Sequence, residues 1–281
     1  MSRSPLALAG LVLVCVLAFP GVSAAQGKPG GGGGNGGGGN GGGGGGSAKS
    51  PTGYDISYPQ CGGSYPSNVS FGIVGVNDGI VYSPNPCLAD ELSWAWTPDG
   101  GNPILYANTA DPGPSLSKHW PDGQTSPQPC NTTNSPGLDT PQCSYDYGWN
   151  AAADSYQDAV KAYATTGLPS SQQWWLDVET ANSWETNTDN NIADLQGAVD
   201  YLTTPVSSGG AGIASVGIYA SANDWQTITG DSSAFSSLPY WQPGSRREST
   251  AQSYCGKTGV TGGPVTYSQY LSGGYDADVR C

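Results

Sequence analysis

Beyond residue 51, apolar positions switch repeatedly between a period of two and a period near 3.6. Residues 53–60 (GYDISYPQ) alternate and are rich in β-formers, while 71–77 (FGIVGVN) form a more continuous apolar run. Both predict strands, separated by a loop that carries Cys61. Residues 87–96 place apolar side chains at helical spacing and stop at the breaker cluster 98–101. A third strand is predicted over 103–108 and a helix over 149–165. That helix puts Trp149, Ala153, Tyr156, Val160 and Tyr163 on one face, with Gly167 just past its end. Residues 173–179 then read as a strand, 190–202 as a helix and 216–220 as a strand. The helical signal fades after Trp225, and 239–242 and 264–271 read as strands with little between them. Residues 111–142, dominated by Pro, Ser, Thr, Asn and Gly, predict an irregular surface excursion. Alternation of strands and helices argues for a parallel sheet covered by helices, either open or closed into a barrel.

The chain ahead of this domain has a different character. Met-Ser-Arg, an apolar run over 6–19 and the small residues before Ala25 predict a secretory signal peptide over 1–25, with a run too short to span a bilayer. Cys15 lies between two valines, an unsuitable setting for a lipidated cysteine. Residues 26–50 are dominated by glycine, broken over 30–46 only by Asn35 and Asn40. Such a segment buries no apolar area to offset its backbone entropy and predicts a disordered linker that holds its ends about 20–25 Å apart. The expected domain is therefore 51–281.

Seven cysteines occur, and loss of Cys15 with the signal leaves six in an exported chain, an even number that predicts three disulfides. Nearest-neighbour pairing, Cys61 with Cys87, Cys130 with Cys143 and Cys255 with Cys281, closes the shortest loops and pins the last residue. No CxxC pair supports a structural zinc site. The formal net charge of -13, with scattered basic residues, argues against nucleic acid or an anionic membrane surface as partner. His119 is the one histidine and sits in a Pro/Ser-rich stretch, so a histidine triad or multi-histidine metal site is poorly supplied.

The candidate chemistry lies in Trp174-Trp175-Leu176-Asp177-Val178-Glu179. On a strand, Asp177 and Glu179 at i and i+2 point to one side, with α-carbons about 6.5 Å apart, while Leu176 and Val178 point to the other. Repulsion between such carboxylates keeps the less solvated one protonated, and one acid beside one carboxylate is what glycosidic cleavage requires. Nine Trp and 16 Tyr against 3 Phe favour rings that stack and also hydrogen-bond; Trp174, Trp175, Trp184, Trp225 and Trp241 are candidate sugar platforms. Asp55 is a charge inside a strand, costly unless paired or catalytic. Asp276 and Asp278 form a second acidic cluster that barrel closure would bring beside Asp55; no EF-hand-like calcium loop accompanies them.

These motifs resemble, in order and spacing, glycoside hydrolase family 25, the lysozyme-like muramidases and their secreted relatives. GYDISYPQ resembles the family's opening strand with its Gly-x-Asp-x-Ser, FGIVGVNDG its second strand and LDVE its Asp-x-Glu strand. VGIYASANDW resembles the next strand and helix start. Pro239-Tyr240-Trp241, and Ser268-Gln269-Tyr270 through Asp278-Val279, resemble its closing strands. The resemblance implies an irregular TIM-like α/β barrel of about eight strands with fewer helices, stapled by disulfides. It further implies Glu179 as proton donor, Asp177 as the carboxylate that orients or stabilises the reacting N-acetyl group, and Asp55 and Asp278 as supporting acids. Asp278, Asp276, Tyr106, Tyr219, Trp241 and Gln269 are the expected substrate-binding residues. Ser268 stands where the family usually has Trp, and 111–143 replaces a compact connection; both are expected to border the groove. The expectation is a secreted or cell-wall-associated monomer that cleaves peptidoglycan strands with no metal or organic cofactor. The alternatives are a degenerate glycan-binding domain and a hydrolase of another N-acetylated polymer.

Overall fold

Apolar side chains at alternating strand positions need cover on both faces, and this chain supplies it by closing its strands into a ring. The computed structural model describes residues 52–96, 102–130, 138–163 and 172–281. The expected signal peptide and linker, and the helix end at 164–167, lie outside the described residues. Strands β1 (Thr52–Ile56), β2 (Gly72–Gly75), β3 (Ile104–Asn108), β4 (Gln173–Asp177), β5 (Ser215–Tyr219), β6 (Tyr240–Ser245), β7 (Val265–Ser272) and β8 (Tyr275–Arg280) form a closed barrel in chain order. Neighbours from β1 to β7 run parallel, and β8 closes the ring antiparallel to both β7 and β1. Helices α1 (Leu88–Ala95), α2 (Pro141–Ala162), α3 (Thr188–Thr203), α4 (Ala222–Thr229) and α5 (Glu248–Gln252) occupy the crossovers. None of the described helices is long and apolar enough to cross a membrane.

Strand register carries one set of side chains around the inside. Gly75 pairs with Tyr106, Tyr106 with Trp175, Trp175 with Gly217, Tyr219 with Trp241, and Trp241 with Tyr267. Gln269 then pairs with Asp278, and Asp276 with Asp55. Because side chains alternate, these residues face the lumen. Phe71, Ile73, Ile104, Trp175, Trp241 and Tyr267 pack there into an aromatic-rich plug. Trp174, Leu176, Val74, Leu105 and Ile218 point outward into the larger core between strands and helices. Two adjacent tryptophans thus serve two different cores. Arg280 closes the lower end of the lumen, 4.4 Å from the Phe71 ring centroid and 5.6 Å from that of Tyr267.

The plug needs two bare backbones. A Cβ at Gly217 would lie 2.2 Å from a Trp175 ring carbon, and one at Gly75 would lie 2.7 Å from the Tyr106 ring. Several elements depart from the sequence expectations. The first strand stops at Ile56, and Tyr58–Gln60 turns as a short 3-10 helix around Pro59. Helix α2 begins at Pro141 rather than residue 149. Thr140 caps it by accepting from the Cys143 amide, and Pro141 sits in the first turn, where it costs no hydrogen bond. Helix α4, too short for a periodic signal, is capped by Ser221 and stopped by Gly230 at φ 64°. Disulfides join Cys61 to Cys87, Cys130 to Cys143 and Cys255 to Cys281, the nearest-neighbour set.

Gly217→Ala forces a methyl into a ring that has no room to retreat. The substitution is expected to lower stability by about 1–3 kcal/mol, read as a lower urea midpoint with an unchanged slope. An unchanged midpoint would contradict the packing described.

Candidate active site

The upper mouth of the barrel, at the C-terminal ends of the parallel strands, holds a cleft of about 220 Å³ lined by Asp55, Tyr106, Asp177, Glu179, Tyr219, Trp241, Gln269 and Asp276. Every one of these residues was picked out in the sequence. Three neighbouring strands end at the same height: Asn108 pairs with Asp177, and Asp177 with Tyr219. Glu179 lies two residues beyond the end of β4, yet the ladder continues through the Val178 amide, which donates to the Tyr219 carbonyl at 2.9 Å. The i, i+2 relation therefore survives past the formal strand end.

The cleft contains acids without a base, since no Lys, Arg or His lines it. Asp177 is buried. Its Oδ2 accepts from Asn108 Nδ2 at 2.6 Å, while its Oδ1 has no partner. Burial, and then the negative charges of Glu179 and Asp55, hold its carboxyl well above the usual range. Glu179 is half-buried and also raised, first by burial and then by Asp224 and Asp276. Asp55 is pushed up to about 7 by burial and by the Asp276 charge, against hydrogen bonds from Asp278 and Gln269. Asp278 is itself raised well above the usual range by burial and by the Asp55 charge. Of this pair, Asp278 is held the higher and keeps the proton beside Asp55.

A polar chain ties these acids to the rings. Tyr219 donates to Gln269 Oε1 at 3.1 Å, Gln269 Nε2 donates to Asp55 Oδ2 at 3.2 Å, and Trp241 Nε1 donates to Asp278 Oδ1 at 2.8 Å. Burial keeps the Tyr106 and Tyr219 phenols neutral far into alkali. Among the described residues, no group of three or more His, Cys, Asp or Glu is placed to hold a metal ion.

Three expectations need correction. Asp278 is fully buried and lies behind the cleft, where it holds Trp241 and Asp55 in place. Trp174 and Trp225 are fully buried in the outer core and Trp175 in the plug, so none offers a face to a ligand. Ser268 is fully buried on the face of β7 opposite Gln269 and does not border the groove. Trp184 has a different use: its Nε1 donates to the Glu179 carbonyl at 2.9 Å and anchors the backbone of the acid. Two residues escaped sequence reading. Asn108 ends β3 beside Asp177, and Asp224 accepts from the Thr180 hydroxyl at 2.6 Å and the Thr180 amide at 3.1 Å, fixing the residue after Glu179. Asn108 was recoverable from the alignment of strand ends, whereas Asp224 looked like an ordinary helix-cap residue.

The family described as lysozyme-like protein 1 matches residues 140–254, the span from α2 through α5 that carries Asp177, Glu179, Tyr219 and Trp241. Over this segment the chain is similar to that family. The match covers less than half of the chain and omits Asp55, Gln269 and Asp276. No curated protein matches. Among solved structures, GHIP, a glycosyl hydrolase 25 of Streptococcus pneumoniae, is 17% identical, with 82% of this chain and 87% of that chain covered and a TM-score of 0.45. The catalytic domain of endolysin ply40 from bacteriophage P40 of Listeria monocytogenes is 16% identical over 84% and 95%, with a TM-score of 0.46. The modular Cpl-1 endolysin, solved with a peptidoglycan analogue, is 14% identical over 82% and 54%, with a TM-score of 0.44.

The raised carboxyls set the pH dependence of stability. The folded state keeps protons that an unfolded aspartate releases near pH 4, so this stability is complete below about pH 4 and is lost as the pH rises; for Asp55 the loss runs through about 7. The melting temperature is expected to fall between pH 4 and pH 8, and Asp278→Asn, which removes one buried acid, to fall less steeply. Equal slopes in thermal melts across that range would contradict the assignment.

Proposed function

We propose that the domain is a secreted glycoside hydrolase that cleaves the glycan strands of peptidoglycan as a muramidase does. The observation that carries the reading is Asp177 Oδ1, a buried carboxyl oxygen in the wall of a cleft that holds four acids, with no partner of its own among the described residues. An N-acetyl amide N–H of the substrate satisfies it. Leaving such a group unpaired costs about 1–3 kcal/mol, so the site favours an N-acetylated sugar over a plain one. The match to a lysozyme-like family over the same strand, and three disulfides suited to an oxidising exterior, support the reading.

The chemistry follows from how the pair shares protons. In the empty cleft the more buried Asp177 holds its proton firmly. As the substrate N–H arrives, Asp177 releases that proton to solvent and its Oδ1 accepts from the N–H, leaving Glu179 as the acid that faces the glycosidic oxygen. Glu179 gives its proton to that oxygen as the C1–O bond breaks. The carbonyl oxygen of the N-acetyl group forms the new bond to C1, and Asp177 balances the positive charge that grows on the amide nitrogen. Water then attacks C1, returns a proton to Glu179 and releases the amide, so configuration at C1 is retained. Asp55, Gln269 and Asp276 hold sugar hydroxyls across the cleft, and Tyr106, Tyr219 and Trp241 wall it.

On purified peptidoglycan, Glu179→Gln is expected to lower the rate of new reducing ends about 10²–10⁴-fold while leaving binding intact. Binding by wild type and variant alike, with no reducing ends from either, would identify a glycan-binding domain instead. No binding at all would point to another polymer.

A further inference from the structure

Beside the acid cleft lies a second and larger groove, about 560 Å³, within the range of small-ligand sites. Its walls come from the loops after β2, β3 and β4, on the same rim. The turn after β4 separates the two cavities. Glu179 faces the acid cleft, and Ala181, Asn182 and Ser183 line the groove. The Asn182 amide donates to the Glu179 carbonyl at 3.1 Å, so the wall of the groove is tied directly to the backbone of the proton donor. Two residues of chain span at most about 7 Å, which puts the mouth of the groove within one sugar of Glu179.

The groove differs from the cleft in charge. Lys118 and His119 line it and are both exposed, in a chain whose 22 acids outnumber its 9 Lys and Arg. Among the described residues Lys118 has no ion-pair partner. Asp154 on α2 feels the His119 charge, behind burial, Asp158 and Lys161. Apolar Ile80 and Leu116, 62% and 75% exposed, stand along the same walls. Tyr82 is held at φ 59°, a left-handed conformation that a bulky side chain rarely adopts. The tight loop around it, with the Asp78 amide donating to the Ser83 carbonyl at 2.9 Å, keeps its ring stacked on His119 at 4.1 Å. Strain of this kind persists where surrounding structure imposes it, and it concentrates at binding sites.

We propose that this groove binds the peptide arm of the peptidoglycan unit held in the acid cleft, with Lys118 and His119 taking peptide carboxylates and Ile80 and Leu116 covering its alanine methyls. The proposal rests on the muramidase reading and deepens it. A cell-wall glycan carries short acidic peptides at regular intervals, so a second site close to the acid, with Lys118 and His119 in its walls where the cleft has no basic side chain, matches the branch point of such a substrate. The groove is walled in part by Pro112, Leu116, Ser117, Lys118 and His119, so it gives that part of the chain a role as a specificity element.

The sole histidine makes the test direct. The exported chain is titrated with a synthetic stem tetrapeptide bearing free carboxylates and, separately, with a peptide-free disaccharide, while the His119 ring signals are followed by NMR. Saturable His119 shifts with the peptide are expected, weakened about fivefold or more by Lys118→Ala and unchanged by Glu179→Gln. No saturable shift, equal affinity in Lys118→Ala, or His119 shifts with the disaccharide alone would overturn the proposal. Reducing-end release from peptidoglycan is measured on the same samples. Peptide binding without release overturns the hydrolase reading and leaves the groove assignment standing; release without peptide binding does the reverse.

Discussion

Carboxyl groups gathered at one end of a closed barrel, with no cation lining their cleft, can stay there only by keeping protons. Asp55, Asp177, Glu179, Asp276 and Asp278 all titrate above their ordinary range, and burial is the leading cause in every case. The rest of the fold serves that arrangement. The aromatic plug of Trp175, Trp241 and Tyr267 closes the lumen beneath the acids, so water reaches them from the mouth alone. Antiparallel β8 lays Asp276 beside Asp55 and drops Asp278 behind Trp241, which a parallel eighth strand with this sequence would not do. Stability at neutral pH is given up for a set of acids that hold their protons above the ordinary carboxyl range.

The strand and helix alternation was legible because its two periods are clean, whereas closure into a barrel came only from the resemblance to family 25. Odd-numbered residues of β4 face the lumen and even-numbered ones the helices, and this can be read directly from Trp174-Trp175-Leu176-Asp177 once the segment is taken as a strand. The same rule, carried around the ring, places Asp55, Tyr106, Tyr219 and Gln269 together. The disulfides followed from spacing because each closes a local loop.

What the sequence hid was hidden for physical reasons. Which tryptophan meets a ligand depends on height in the barrel, and height is set by register and not by residue type; Trp175 and Trp241 share a face yet only Trp241 reaches the cleft. Asp278 and Asp276 are chemically identical and two residues apart, and only the depth of β8 in the barrel separates a cleft wall from its support. The start of α2 was obscured by Pro141 and Gly148, residues typical of the loop before it, although capping by Thr140 and the Cys130–Cys143 bridge secure that turn. Ser268 was expected at the groove because the resembled family usually has Trp there, and only the register of β7 shows that it faces away from Gln269.

The central claim is that the barrel mouth holds its protons to near neutrality, and carboxyl ¹³C shifts followed against pH test it most directly. The account predicts that the Asp55 carboxyl titrates with a midpoint of about 7, with Glu179 also above the ordinary glutamate value. Midpoints near 4 for both would show an open, well-solvated cleft and contradict the account.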